Sequence, residues 1–263
     1  MKKKHLTLIS NEGYPNKEKE AALFRPPPLI GVGGLKRSGK DSVCNVLAKV
    51  YGHKKLAFAS ALRDICRRVF LIPLNYFTDD ELKEKPFETP MELTSQRICM
   101  VLQFCFRDHN YQSVWKNYDD LHKHAEEAGI FKYEGTKFLT PRHILQIVGT
   151  ELIRNCITSS FHANSVAYQI HKDVNSTTQN KPPLFCVSDC RFPNERELVR
   201  SFRGVTILIT SPTDTRDCIH PSEVSVGDKK EYDLHFHNVK EGLDKLEVDF
   251  IKFLEDNIPS QKV

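Results

Sequence analysis

Gly34, Gly39 and Lys40 stand in the spacing G-x-x-x-x-G-K and are followed by Asp41 and Ser42. That spacing suits a phosphate cradle. Small residues let backbone N–H groups converge on an anion, and a helix start adds favourable partial charge. Lys40 would reach the terminal phosphates as a point charge, with Lys36 and Ser38 completing the loop that holds a nucleoside triphosphate. One position departs from the pattern: Asp41 occupies the place where Ser or Thr ordinarily offers a hydroxyl to magnesium, and Ser42 comes one residue later. A glycine-rich surface turn is the competing reading, and the flanks speak against it. The apolar run Leu29–Val32 precedes the loop, and Val43, Val46, Leu47 and Val50 follow at helical spacing.

Phosphoryl transfer also needs hard oxygen ligands for Mg²⁺ and cations for the moving charge. Asp41, Ser42 and Asp189 are the candidate metal ligands. Asp189 ends the apolar run Leu184–Ser188, which suits a magnesium-organising carboxylate or, alternatively, an N-cap for the helix after Pro193. Arg37, Arg191 and Arg216 are candidate phosphate clamps, because guanidinium groups match phosphate oxygens bidentately. Thr140, Arg142, Gln146, Thr150 and Glu151 lie on or beside one helical stretch, with Arg142 and Gln146 on one face and Ile147 and Glu151 on a neighbouring one. Taken alone, these are equally the solvated side of a helix that buries Ile144, Leu145, Val148 and Leu152. His220, Ser222 and Glu223 lack the G-x-S-x-G turn of a nucleophilic serine, so hydrolase chemistry is rejected. Cys186 and Cys190 with His220, His235 and His237 do not have the ligand spacing of known zinc sites, and Cys186 reads as a buried small hydrophobe.

These residues need a scaffold, and the chain reads as one. With 263 residues there is ample length for a buried core. The net charge of +4 suits small anionic substrates and gives no case for nucleic-acid binding. Eight scattered cysteines fit reduced thiols in a cytosol-like compartment. Neither a membrane span nor a signal-peptide apolar region is expected. Residues 1–28 read as a poorly ordered arm ending in Arg25-Pro-Pro-Pro28. Strands are expected at 30–34, 55–58, 184–189, 205–210 and 232–236, and helices at 40–51, 61–70, 95–107, 115–128, 141–156, 160–175, 195–202 and 239–253. Thr140 caps the helix that Pro141 opens. Strands apolar on both faces and alternating with helices predict an α/β fold, a parallel five-stranded sheet flanked by helices, with ligands beyond the strand carboxyl ends. The kinase domain would span 29–263, with a helical insertion over about 72–140 and a lid over about 211–228.

Several segments together resemble the deoxynucleoside monophosphate kinases of tailed bacteriophages. These are Gly34–Ser42 with its aspartate, Leu56–Arg63, Lys85-Pro86, Thr140–Arg154, Ser188–Glu195 and His220-Pro-Ser-Glu223. A more distant likeness is to animal phosphomevalonate kinases, which share Lys-x-Ser-Gly-Lys-Asp and a Ser-Asp-x-Arg strand end. The closer resemblance implies an ATP- and Mg²⁺-dependent kinase that converts deoxynucleoside monophosphates to diphosphates, in a host cytoplasm if viral, and a homodimer. It makes Arg142, Gln146, Glu151, His220 and Glu223 acceptor-site candidates, and Lys40, Arg37, Asp189, Arg191 and Arg216 the catalytic set. Two other functions stay open at this stage. One is a kinase for another small phosphorylated acceptor such as phosphomevalonate. The other is a kinase-derived structural component of a larger assembly.

Overall fold

Leu29–Gly34 (β1) is buried at all six positions, so it must have neighbours on both edges and both faces. The computed structural model describes residues 24–107, 118–177, 182–212, 226 and 228–258, and it supplies them. β1 runs into helix α1 (Lys40–Tyr51), which Gly52 ends in a left-handed cap. After it come strand β2 (Lys54–Leu56), helix α2 (Ser60–Phe70), the short helix α3 (Asn75–Thr78) and a 3₁₀ turn at Leu82–Glu84. Strand β3 (Met91–Glu92), helices α4 (Ser95–Arg107) and α5 (Tyr118–Glu127), and strand β4 (Lys137–Phe138) follow. Helix α6 (Pro141–Gln146) opens on the Thr140 cap, whose side chain accepts from His143 N–H. It continues as a π-helix over Ile147–Ile157. Helix α7 (Phe161–Ser176), strand β5 (Phe185–Val187), helix α8 (Pro193–Ser201), strand β6 (Val205–Thr210), strand β7 (Leu234–His237) and helix α9 (Leu243–Asn257) complete the order.

The main sheet has the order β2-β5-β1-β6-β7, and every pairing is parallel. β1 is central, with Gly31 opposite both Val187 of β5 and Thr206 of β6. The chain leaves β1 towards β2 but leaves β5 towards β6. The loops after β1 and β5 therefore diverge, which opens a crevice at the carboxyl ends of those strands. One face packs Ile30, Val32 and Ile207 against Val43 and Leu47 of α1 and Phe250 and Leu254 of α9. The other packs Leu29, Phe185 and Val187 against Val166 and Ile170 of α7 and Val199 of α8.

The expected 72–140 insertion contains a two-stranded antiparallel ribbon, β3 with β4, that strand periodicity could not reveal in two-residue strands. Its described part shares one apolar core with α2, α6 and the π-helix, through Phe70, Phe77, Ile98, Phe138 and Leu152. Of the expected arm, residues 1–23 lie outside the described residues, while Phe24 is buried and meets the Tyr51 ring edge-on at 5.6 Å. The expected lid lies outside the described residues except for 211, 212, 226 and 228. The closing helix starts at Leu243, four residues later than expected, because Gly242 at φ +107 breaks the chain just before it.

Candidate active site

The loop between β1 and α1 is built from backbone that only glycine tolerates at two points. At Gly34 (φ +147) a Cβ would lie 2.4 Å from the Ile209 carbonyl oxygen and 2.6 Å from Ser38 Oγ. At Gly39 (φ +105) it would lie 2.4 Å from Asn238 Nδ2. Lys40 Nζ folds back to donate to the Leu35 carbonyl at 2.5 Å, across the concave side of the loop. Lys36 and Arg37 are exposed at the tip, Asp41 is exposed in the first turn of α1, and Ser42 beside it is half-buried. Ser38 is fully buried, and its Oγ has no partner among the described residues. Such an orphaned hydroxyl just before the start of α1 fits an anion with lone pairs to spare.

Residues far away in the chain brace this loop. Asn238, just past β7, donates from Nδ2 to the Ser38 carbonyl at 2.9 Å, and Lys240 Nζ donates to the Arg37 carbonyl. Neither was a candidate in the sequence, since nothing in the local pattern around 238–240 points 200 residues back.

Beside the loop, a cleft opens at the carboxyl ends of β2 and β5. Its apolar wall includes Phe58, Leu62, Phe77 and Leu145, and its polar wall Arg142, Gln146, Thr150, Arg154, Asp189, Arg191 and Glu195. Arg142, Gln146, Asp189 and Arg191 are thus brought together, whereas Glu151 is not among the lining residues. Glu151 instead accepts hydrogen bonds from Tyr133 Oη and Asn155 Nδ2, each at 3.2 Å. The winding of the helix accounts for the difference. In a π-helix the hydrogen-bonded ring closes five residues on, so Gly149 and Arg154 share a side that an α-helix would split between two faces. Arg216, His220 and Glu223 lie outside the described residues.

Asp189 has a specific local task. Its Oδ1 accepts from Phe58 N–H at 2.7 Å and its Oδ2 from Ala59 N–H at 3.0 Å, so it holds the start of α2 against the end of β5. It does not cap the helix after Pro193. Glu195 does that, accepting from Arg191 N–H at 2.9 Å and Phe192 N–H at 3.0 Å through Oε2. The other Glu195 oxygen takes Arg154 Nη2 at 2.7 Å. Arg154 also donates to Asn194 Oδ1 and to the Ser159 carbonyl, both at 3.2 Å, and lies 3.5 Å over the Phe192 ring centroid. Burial pushes the Glu195 carboxyl up to about 6 against the pull of Arg154 and the two amides.

His162, another residue outside the sequence candidates, forms the floor. Its ring nitrogens face the Phe58 carbonyl at 3.2 Å and the Gly149 carbonyl at 3.4 Å, tying α2 to the π-helix. Burial, reinforced by the Arg154 charge, lowers its pKa to about 4. An apolar-looking helix start at Phe161 gave no sign that the next residue would bridge two distant carbonyls.

Loop and cleft meet at Glu84. One carboxylate oxygen accepts from Lys36 Nζ of the loop tip at 2.8 Å and from Arg142 Nε of the cleft at 2.5 Å. Burial works against the charged form, but these two donors hold the Glu84 carboxyl below the usual carboxylate range. Glu84 immediately precedes the Lys85-Pro86 pair, and no local sequence pattern marks it.

For a divalent ion, Asp41 and Ser42 are exposed or half-buried at the helix start, and each Asp189 oxygen keeps a lone pair beyond its amide. No group of three His, Cys, Asp or Glu side chains with metal-ligand geometry converges among the described residues. That sparse oxygen set fits Mg²⁺, which binds through one or two carboxylates, waters and the phosphates of a nucleotide. Cys186 is buried in β5, its Sγ 3.8 Å from the Cys44 carbonyl. No helix among the described residues is long and apolar enough to cross a membrane.

A family model described as deoxynucleotide monophosphate kinase matches residues 28–233. A protein of Acanthamoeba polyphaga mimivirus, provisionally named a deoxynucleotide monophosphate kinase, is 28% identical over 222 residues, covering 81% of this chain and 89% of its own. The deoxynucleoside-5′-monophosphate kinase of Escherichia phage T5 is 23% identical over 254 residues, covering 86% of this chain and 96% of its own.

Proposed function

The chain belongs to the deoxynucleotide monophosphate kinase family, and from that premise we propose that it transfers the γ-phosphoryl group of ATP to a deoxynucleoside monophosphate bound in the cleft. The observation that carries this reading is the Glu84 bridge. A single carboxylate reaches both a loop cation, Lys36, and a cleft cation, Arg142. Two anion-seeking groups that share one small anion are close enough to serve the two phosphates between which transfer occurs.

In this reading the backbone N–H groups from Gly34 to Lys40 and the Lys40 ammonium cradle the β- and γ-phosphates, with Lys36 and Ser38 at the rim. Asp41, Ser42 and Asp189 would hold Mg²⁺, which when bound neutralises charge on the phosphate oxygens. Arg142 and Gln146 orient the acceptor. Arg37 and Arg191, with Arg216, supply positive charge as the phosphoryl group moves, and His220 and Glu223 serve the acceptor from the lid. Glu151, engaged with Tyr133 and Asn155, acts by supporting the helix. Phe58, Leu62 and Phe77 exclude water from the reacting groups, which strengthens each of these electrostatic contacts.

The family match and both relatives leave phosphomevalonate and a purely structural role without favour. The viral relatives support work in a host cytoplasm, and the homodimer implied by the phage resemblance belongs to the same proposal, for light scattering to test. The deciding experiment is a coupled assay with ATP, Mg²⁺ and the four common deoxynucleoside monophosphates, run beside phosphomevalonate and with Lys40→Ala as control. Diphosphate formation from at least one deoxynucleotide, lost in Lys40→Ala, is expected. A folded protein that binds ATP and phosphorylates none of them would overturn the reading.

A further inference from the structure

Arg191 lies between the end of β5 and the start of α8, and the backbone on both sides of it is gripped by side chains. The peptide group before it is held at both ends. Tyr232 Oη donates to the Cys190 carbonyl at 2.8 Å, and Glu195 Oε2 accepts from Arg191 N–H at 2.9 Å. The peptide group after it is held in the same way. Arg196 Nη1 donates to the Arg191 carbonyl at 2.7 Å, and Glu195 Oε2 accepts from Phe192 N–H at 3.0 Å. A trans peptide is planar, so a residue turns only about φ and ψ. With both flanking planes held, those two angles are fixed, and so is the direction in which the Arg191 side chain leaves the backbone. Arg191 lines the cleft beside Asp189 and Arg154.

Both donors are themselves buried. Arg196 is only 2% exposed, and a guanidinium in such a place needs partners. It has the Glu231 carboxylate as well as the Arg191 carbonyl, and it lies 5.0 Å from the Tyr232 ring centroid. Burial pushes the Tyr232 hydroxyl above the ordinary tyrosine range, which keeps it a donor. Strand β1 gives way to this phenol: a Cβ at Gly33, one residue before the loop glycine Gly34, would collide with the Tyr232 ring and hydroxyl. Arg191 and Phe192, by contrast, are only half-buried, so water can serve their peptide groups. Keeping this turn folded does not call for a buried arginine and a buried phenol on its carbonyls. Aiming Arg191 does.

We infer that Tyr232 and Arg196 are positioning residues for phosphoryl transfer, acting through Arg191 by fixing the two peptide planes that aim it into the cleft. This rests on the reading in which Arg191 supplies positive charge to the moving phosphoryl group. Neither Tyr232 nor Arg196 is among the residues lining the cleft, so their effect on the reaction passes through the turn.

The test is a pair of double-mutant cycles in the full chain. Tyr232→Phe removes one hydroxyl and keeps the ring on Gly33. Arg196→Lys keeps a charge for Glu231 but lacks the second arm of the fork. Each is made alone and together with Arg191→Ala. Single-turnover rates of transfer from γ-labelled ATP to each of the four common deoxynucleoside monophosphates are measured. Calorimetry gives Kd for the acceptor used and for a non-hydrolysable ATP analogue, and thermal unfolding gives Tm. Each single variant should slow transfer about tenfold, a part of what misplacing a group can cost, with both Kd values held within about twofold. In the Arg191→Ala background neither change should slow transfer further by more than about twofold. A loss of equal size in both backgrounds overturns the inference, because it marks a general effect on the fold. Unchanged transfer in the single variants overturns it too, whatever Tm does. If Arg191→Ala transfers as fast as the wild type, the role of Arg191 falls and the inference falls with it. A wild type that transfers to none of the four overturns the proposed function beneath both.

Discussion

The glycine loop after β1 and the cleft beside it adjoin at Glu84, yet they are made in opposite ways. The loop is a run of consecutive residues with glycines at φ +147 and +105 and a lysine folded over them, braced from outside by Asn238 and Lys240. The cleft is assembled from α2, the 3₁₀ turn, the α6–π helix, α7 and the end of β5, and is held by ion pairs and caps between them. A site of the first kind concentrates its chemistry in a few side chains that bear little of the fold. In a site of the second kind, the same side chains hold the fold and face the ligand. Substitutions in the two should therefore fail differently.

The largest expected effect is on the cleft. Glu195→Ala leaves Arg154 buried without its carboxylate and removes the cap of α8, so unfolding free energy should fall by about 3–5 kcal/mol, measured by denaturant titration. A loss below about 1 kcal/mol would erase the contrast. Lys40→Ala on the donor side should instead lower kcat by about 10²–10³-fold, the cost of one pre-organised donor to developing charge. Acceptor affinity should hold in that variant. If it collapsed together with stability, the loop would prove as structural as the cleft.

Acidification probes the cleft through His162 and the α1–β2 junction through His53. His162 and His53 are buried, and burial lowers each from 6.5 to about 4. Between those values the unfolded chain takes up protons that the folded one refuses, so their stabilisation is present above pH 6.5 and lost as pH falls. Glu195, raised from 4.5 to about 6, has the opposite sign: the folded state takes up its proton first, which recovers part of the loss. From pH 7 to pH 5 the net fall in unfolding free energy should be about 2–3 kcal/mol. Denaturant titrations at both pH values check it, and His162→Gln should remove roughly half of the histidine contribution. A flat profile would mean that one of the histidines is not held neutral.

The smallest effect belongs to the bridge. Glu84→Gln breaks ion pairs whose side chains are about two-fifths exposed, apart from Arg142 at 22%, so stability should change by less than about 1 kcal/mol. Without the Glu84 carboxylate, Arg142 should bind the monophosphate, and Lys36 a non-hydrolysable ATP analogue, up to about fivefold more tightly by calorimetry. Weaker binding would show that Glu84 orients these cations rather than competing for them.

The readability of the two regions follows the same division. Gly34, Gly39, Lys40, the flanking strand and the amphipathic α1 all fall within one stretch, where local geometry dictates residue type, so the loop could be read directly. Arg142 and Gln146 could be placed on one face because they lie in or beside a true α-turn. Glu151 and Arg154 could not, because the hydrogen-bond register shifts after Gln146; periodicity counted at 3.6 residues still finds the buried Val148 and Leu152 but not which polar residues line the cleft. Asp189 stands out as a strand-end carboxylate, but its partners are amides 131 and 130 positions earlier in the chain.

Sequence alone determined the parallel α/β class, the glycine-dependent loop after β1 and the membership of a kinase lineage, because each is encoded by short-range pattern: burial on both strand faces, glycine where φ is positive, a cap before proline. Only the tertiary structure decided which polar residues line the cleft. That choice depends on how a helix is wound and on which buried charge finds a partner. Arg154 found Glu195, Arg142 shares Glu84, and Arg196 pairs with Glu231 away from the cleft. Three arginines of identical local chemistry acquire different roles because desolvation and pairing are properties of place in the fold, not of residue type.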